Sequence, residues 1–382
     1  MRRALLLMGV TSCFVLGASF QTFEQEALKQ FPKLLQQKGN IAIAKENQAK
    51  LLRPFNPRLE LLGSSYEDGS GFETTLQIPY RLPDYMKDLK KRAVSDVEVQ
   101  KAYEFVLKAR FRKNLELLYT RYVYQDMLLE PIHAQLAIYK RLLSIAKEKF
   151  SKGYGKRIDV LKLQTKLLTL QKSLLDVQNS VVKAKMKLQK YAGFSGNIEP
   201  NGFLYERFNF SGRINPAEFA WYEKSKKRFL HLAKEQSHVI KRVNFTINYE
   251  KEPNSGILRA GISIPLPINK PKQEVAIAKM KANNVALDLE LLKKRYSVEL
   301  QGLQKQAEMI QKSLDLLQKT KKKQKELLDL YIESYKIDQS TLLDILDAQK
   351  AYISIEKEIA KKLFLLNINQ IQINYIKGRY NG

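Results

Sequence analysis

The sequence predicts a mainly α-helical chain with a small β part, built as two tandem repeats of helix, strand pair and long helical hairpin. Three observations predict it. First, short motifs recur at one spacing. Phe150-x-x-Gly153-x-x-x-x-Ile158-Asp159-Val160-Leu161-x-x-Gln164 matches Tyr335-x-x-Asp338-x-x-x-x-Leu343-Asp344-Ile345-Leu346-x-x-Gln349, and positions 150 and 335 differ by 185. Leu76 to Pro79 matches Ile262 to Pro265, and Leu59 to Leu61 matches Phe245 to Ile247, both 186 apart. A fixed internal period of this kind governs the whole fold. Second, apolar residues step alternately by three and four, as in Leu129, Ile132, Leu136, Tyr139, Leu143, Ala146 and Phe150, which is the seam of a coiled coil. Third, Val243 to Glu250 alternates apolar and polar residues without a break, the pattern of a strand with one wet face.

Taken in order, the chain opens with Met1-Arg2-Arg3 and a short apolar run from Ala4 to Ala18, which reads as a secretory signal over 1–20. Cys13, the single cysteine, stands either in a lipobox-like Val10-Thr11-Ser12-Cys13 or inside a signal cut near Ala18 to Phe20. The first repeat, 21–195, then reads as a helix over about 22–52, strands over about 57–66 and 72–79, and a helical hairpin over about 83–191. Pro131 is expected to kink its long outgoing helix, because it removes a backbone donor and crowds the preceding turn. A Gly-, Asn- and Pro-rich connector over 196–216 separates it from the second repeat, 217–382. There the helix over about 217–242 precedes strands at about 243–250 and 257–265 and a hairpin over about 271–378.

Composition bounds the function. The chain has 382 residues with 27% charged and 44% apolar, enough for a large ordered structure. Its net charge of +27 comes from lysines scattered along helices, which reads as solvated surface and not as a nucleic-acid footprint. No segment approaches the roughly 20 apolar residues of a transmembrane helix. The sequence shows no phosphate loop, no metal-ligand spacing among His133, His231 and His238, and no nucleophile with its base. Neither an enzyme, nor a cofactor, nor a metal site is therefore expected.

Each strand pair has an apolar and a polar face. Asn244, Thr246, Asn248, Arg259 and Ser263 fall on the polar one. Two hairpins of about membrane-crossing length cannot close a sheet in one chain, and an open edge in lipid is not tolerated. Closure then requires other copies: four strands from each of three copies would make a barrel of 12, with those five residues toward a wet lumen.

Over essentially the whole mature chain the sequence resembles the TolC-like outer-membrane efflux family. The likeness rests on Thr22-Phe23-Glu24-x-x-Ala27-Leu28-x-x-Phe31-Pro32, on the Ile-Pro strand ends at Pro79 and Pro265, and most specifically on Tyr335 to Gln349. The resemblance implies a homotrimer: a transmembrane β-barrel in outer-membrane lipid continued by a long coiled-coil α-helical barrel in the periplasm of a Gram-negative cell. It implies two partners, a periplasmic adaptor (membrane fusion) protein and an inner-membrane pump, the resistance-nodulation-division type among the candidates, for export of small molecules or metal ions. It also implies a periplasmic gate, for which the matching positions are Asp344, Asp347, Tyr335 and Asp159. An Asp at the start of a return helix can equally serve as its cap. The family's Arg falls at Ser340 and its turn Gly at Asp338, so the closed state would be held differently here. The hairpin ends, with Gly153, Tyr154, Lys156, Arg157, Ile337 and Gln339, are the expected adaptor-docking tips. Because Asp347 aligns with Lys162, the gate is expected chiefly on the second repeat. The competing reading is a basic coiled-coil scaffold of the envelope without a pore, or a nucleic-acid-binding protein. The signal opposes nucleic acid, and the strand hairpins oppose a plain coiled coil.

Overall fold

The computed structural model describes residues 20–67, 69–193, 198–253, 255–265, 272–337 and 339–381. The expected signal up to residue 19, Cys13 within it, Asp338 and Pro271 lie outside them, whereas Phe20 is described. Residues 20–30 form helix α1. Helices α2 (Pro32–Leu52), α3 (Pro83–Met127), α4 (Leu129–Ser151), α5 (Arg157–Ala192), α6 (Ala217–Ser237), α7 (Lys272–Lys336) and α8 (Leu342–Ile376) follow. Between them lie strands β1 (Arg58–Tyr66), β2 (Gly69–Arg81), β3 (Arg242–Glu252) and β4 (Ser255–Ser263). No described helix is long and apolar enough to cross a membrane.

Prolines account for several departures from the expected boundaries. The opening helix is broken at Phe31, because the residue before Pro32 is pushed out of the helical region. Strand β2 runs two residues past Pro79, and the long helix starts instead at Pro83, where a missing N–H costs nothing. The outgoing helix of the first repeat does not merely kink. It ends at Met127, Leu128 forms a turn whose N–H reaches the Gln125 carbonyl at 3.3 Å, and α4 restarts at Leu129, two residues ahead of Pro131. Pro131 offers no donor to the carbonyl four residues back, and its ring crowds that carbonyl. The second repeat has no such residue, and α7 is unbroken over 65 residues, about 98 Å at 1.5 Å per residue.

Two compact units divide the chain, and each draws on both repeats. One unit contains residues 33–107 and 217–295. It holds a four-stranded antiparallel sheet in the order β1-β2-β3-β4. Its α6 is fastened to the first part of α3 by ion pairs, Lys224 to Glu98 at 2.9 Å and Arg228 to Asp96, and by His238 beside Asp88 at 3.1 Å.

The other unit comprises residues 1–32, 108–216 and 296–382, as far as these are described. One core gathers Phe20, Phe23 and Ala27 of α1 with Phe111, Leu115 and Tyr119 of α3 and Leu188 of α5. Burial in that core removes apolar surface from water, worth roughly 1.5–3 kcal/mol for each large side chain. The described part of the connector, 198–216, has no helix or strand, yet amide side chains of α8 hold it in place. Asn367 accepts from the Tyr205 N–H at 2.9 Å and donates to the Tyr205 carbonyl at 2.8 Å. Gln370 does the same to Asn209, at 2.7 and 3.2 Å. Both amides are fully buried and stand in for the strand that the connector lacks. Beside them Glu116 is buried, with the hydroxyls of Tyr380 and Tyr205 donating to its Oε2 at 2.6 and 2.8 Å.

Candidate functional site

The sheet separates its two faces as the alternation requires. Residues paired across antiparallel strands share a face. Leu59, Leu76, Ile247 and Ala260 form one rung, Ile78, Phe245 and Ile262 a second, and Tyr80 with Val243 a third. These side chains are largely exposed, with Leu59 at 59% and Ile262 at 64%, so nothing among the described residues covers this face. The opposite rungs are polar. Asn244 pairs with Ser263, Thr246 lies between Gln77 and Gly261, and Asn248 lies between Thr75 and Arg259. The five expected lumen residues therefore share one face. On it Asn248 donates to Thr75 Oγ1 at 2.7 Å and to Glu73, and Arg259 pairs with Glu250. Among the described residues, strands β1 and β4 each keep one edge without a strand partner.

The hairpin ends lie within the other unit. Around them α4, α5, α7 and α8 share a core that includes Leu142, Ala146, Leu163, Ile332, Tyr335 and Ile345. In the first turn, Gly153 has a φ of +85°, which favours glycine, and closes on the Phe150 carbonyl at 3.1 Å. Gly155 donates to the Lys149 carbonyl at 2.9 Å, and a Cβ there would sit 2.4 Å from the Phe150 nitrogen, so no other residue fits. Tyr154, Lys156 and Arg157 are exposed beside it, as are Ile337 and Gln339 in the second turn. Phe150 and Leu343 join Tyr154 and Ile337 as exposed large apolar groups at these ends.

The four expected gate residues occupy different settings. Tyr335 is buried in the four-helix core, and its carbonyl accepts from Lys149 Nζ at 2.6 Å, with the ammonium 4.3 Å from its ring centroid. Asp159 stands in the first turn of α5, and its N–H bonds the Lys156 carbonyl at 3.0 Å. Asp344 closes a capping box: it accepts from the Thr341 N–H at 2.8 Å and from the Thr341 hydroxyl at 2.6 Å. Those bonds, the hydroxyl's first, hold its carboxyl below the usual range. Asp347, one turn on, is exposed.

Lys149 was not singled out in the sequence. The seam expected Phe150 to be inside, whereas the structure buries Lys149 in register with Leu142 and Ala146 and leaves Phe150 exposed. The cause lies on the opposite helix. Tyr335 is in the last turn of α7, where carbonyls lack helical donors, and a buried ammonium serves one of them. The available signal was a lysine at a three-and-four spacing from two apolar seam positions. Among the described residues no group of three His, Cys, Asp or Glu could hold a metal ion.

No protein-family model matches the sequence, and no curated protein is similar to it in sequence. Solved structures are similar in fold. CusC, described in terms of folding and transmembrane channel formation, is 12% identical with a TM-score of 0.79, over 94% of this chain and 92% of that one. The outer membrane protein VceC of Vibrio cholerae is 14% identical with a TM-score of 0.77, over 94% and 97%. The open state of the Neisseria gonorrhoeae MtrE outer membrane channel is 15% identical with a TM-score of 0.73, over 94% and 89%. An uncovered apolar sheet face, two free strand edges and paired long helical hairpins thus belong to a chain whose fold is that of these solved outer-membrane channels.

Proposed function

We propose that the chain is the outer-membrane duct of an efflux system of the TolC-like kind, working as a homotrimer. The observation that carries this reading is the four-stranded sheet, open at β1 and β4, with a face of exposed Leu, Ile, Phe and Tyr side chains. In water such a face and such edges would be a liability, and in lipid the edges could not persist. Closing with two further copies removes both problems. The apolar rungs then meet lipid, and Asn244, Thr246, Asn248, Arg259 and Ser263 line the passage. A second stripe supports the same assembly: Leu161, Leu168, Leu175 and Val182 recur every seven residues on α5 and are all more than half exposed.

Transport through this duct is passive, and partners supply the energy. The exposed hairpin ends, with Tyr154, Lys156, Arg157, Ile337 and Gln339, dock an adaptor protein, and beyond it stands an inner-membrane pump. Asp344 and Asp347 lie three apart on α8, and in a trimer they would gather carboxylates about the axis as a cation-attracting constriction. Tyr335, clamped by Lys149, and Asp159 hold the adjoining turns. The test is fractionation followed by planar-bilayer recording. The protein is expected in the outer membrane as a detergent-extractable trimer, and Asp344→Ala with Asp347→Ala should raise single-channel conductance or weaken its cation preference. A soluble periplasmic monomer would sink the duct, and unchanged conductance would remove the gate assignment.

A further inference from the structure

We propose that the base of the sheet carries a binding pocket for small organic anions, in which a carboxylate or phosphate is joined to an apolar or aromatic group. Where strands give way to helices, Arg81 of β2 and Arg242 of β3 are paired across the last rung. Both guanidinium groups bear on one ring, with Arg81 Cζ 4.2 Å and Arg242 Cζ 5.7 Å from the centroid of Phe55. Lys241 adds a third cation. Together with Tyr85 they bound an open cavity of about 370 Å³, and none of its lining residues is acidic.

The charges there are only partly employed. Arg81 Nη1 donates to the carbonyls of Leu51 and Arg53, and Lys241 Nζ donates to Gln236 at 3.0 Å. The Nε–H of Arg81 is buried and has no hydrogen-bond partner among the described residues. Arg242 has no carboxylate partner among them. Glu235, outside the lining, lies 3.6 Å from Arg92 and also interacts with Tyr85 and Lys241, so its carboxylate answers part of this charge but not that of Arg242. Three cations around one cavity repel one another, and an anion between them relieves that repulsion. Guanidinium groups match planar or tetrahedral oxyanions through paired N–H bonds, and the Phe55 ring offers an apolar platform beside them. An organic anion uses both features, whereas inorganic phosphate uses only the first. Because alternation puts Arg81 and Arg242 on the same face as Asn244 and Thr246, the pocket faces the passage. That placement rests on the duct reading, whereas binding itself does not.

Calorimetry on the full-length protein in phosphatidylcholine nanodiscs tests the site with phenyl phosphate, inorganic phosphate and benzyl alcohol. Phenyl phosphate should bind at least tenfold more tightly than the other two, and Arg242→Gln or Lys241→Gln should weaken it at least fivefold. Arg81→Gln should weaken it further, but Arg81 also holds α2, so the first two variants decide the matter. Equal binding by benzyl alcohol, or no loss in Arg242→Gln and Lys241→Gln, would overturn the proposal. Replacing the lipid with phosphatidylglycerol should leave binding unchanged, and its abolition would assign the pocket to a lipid headgroup instead. Bilayer recording separates the two readings. A conducting channel that phenyl phosphate does not block, with no binding by calorimetry, removes the pocket and leaves the duct, whereas binding without conduction does the reverse.

Discussion

Glu116 is ringed by groups that pull its proton equilibrium in opposite directions. Burial pushes its carboxyl up to about 7, against the hydroxyls of Tyr380 and Tyr205, which favour the charged form, while the Glu24 charge adds to the rise and Arg112 opposes it. The folded state therefore holds this proton more tightly than the unfolded chain, whose value is 4.5. The stability associated with it is fully present below about pH 4.5 and is lost as the pH rises through about 7. Glu116→Gln keeps an acceptor for both tyrosines without the charge. It is expected to raise stability at pH 8 by up to about 3 kcal/mol and to change little at pH 4, read from thermal melts of the purified protein. An equal shift at both values would exclude the charge as the cause. Lys149 teaches a related lesson about reading sequence. Its neighbours were legible as a seam, but which of two adjacent residues turns inward depended on an unsatisfied carbonyl of Tyr335, a residue 186 positions away.

Among the elements, those with a strong period were legible, and those whose limits depend on single prolines or on side-chain amides were legible only in part. The strands follow from unbroken alternation, and Pro131 marked the site near Leu128 although only a kink was expected there, whereas the opening helix was expected whole over about 22–52 and Pro32 breaks it at Phe31. The connector was legible only as irregular, because its order comes from Asn367 and Gln370, whose partners are backbone groups that carry no sequence signature. At the candidate site, the residues sharing the polar face of the sheet were legible from period two, and the capping role of Asp344 from its place in the first turn of α8. The turn after α4 gives a prediction at this scale. Gly155→Ala forces a methyl group against the backbone at Lys149 and Phe150, and should cost at least about 1 kcal/mol locally. Faster tryptic cleavage after Lys152 and Lys156, with helicity elsewhere preserved, would reveal it. Unchanged cleavage would show that the turn relaxes freely.

For the molecule as a whole, the α5 stripe separates folding from assembly. Leu168 is 68% and Leu175 66% exposed, so neither supports the core of its own chain. Leu168→Glu with Leu175→Glu is expected to abolish the trimer, seen by crosslinking or light scattering, while circular dichroism stays as in the parent protein. A trimer that survives both charges would place the interface elsewhere. The interleaving of the two units has a further consequence, in time. Neither unit is confined to one repeat, and each unites segments from both sides of the connector. A chain delivered only as far as the connector already holds the whole core built on α1, α3 and α5, but its β2 edge, its α4–α5 tip and its connector must wait for counterparts more than 150 residues behind. The two repeats are thus not two independent folding modules: the β2 edge, the first hairpin tip and the connector stay open to chaperones and proteases until the second repeat arrives.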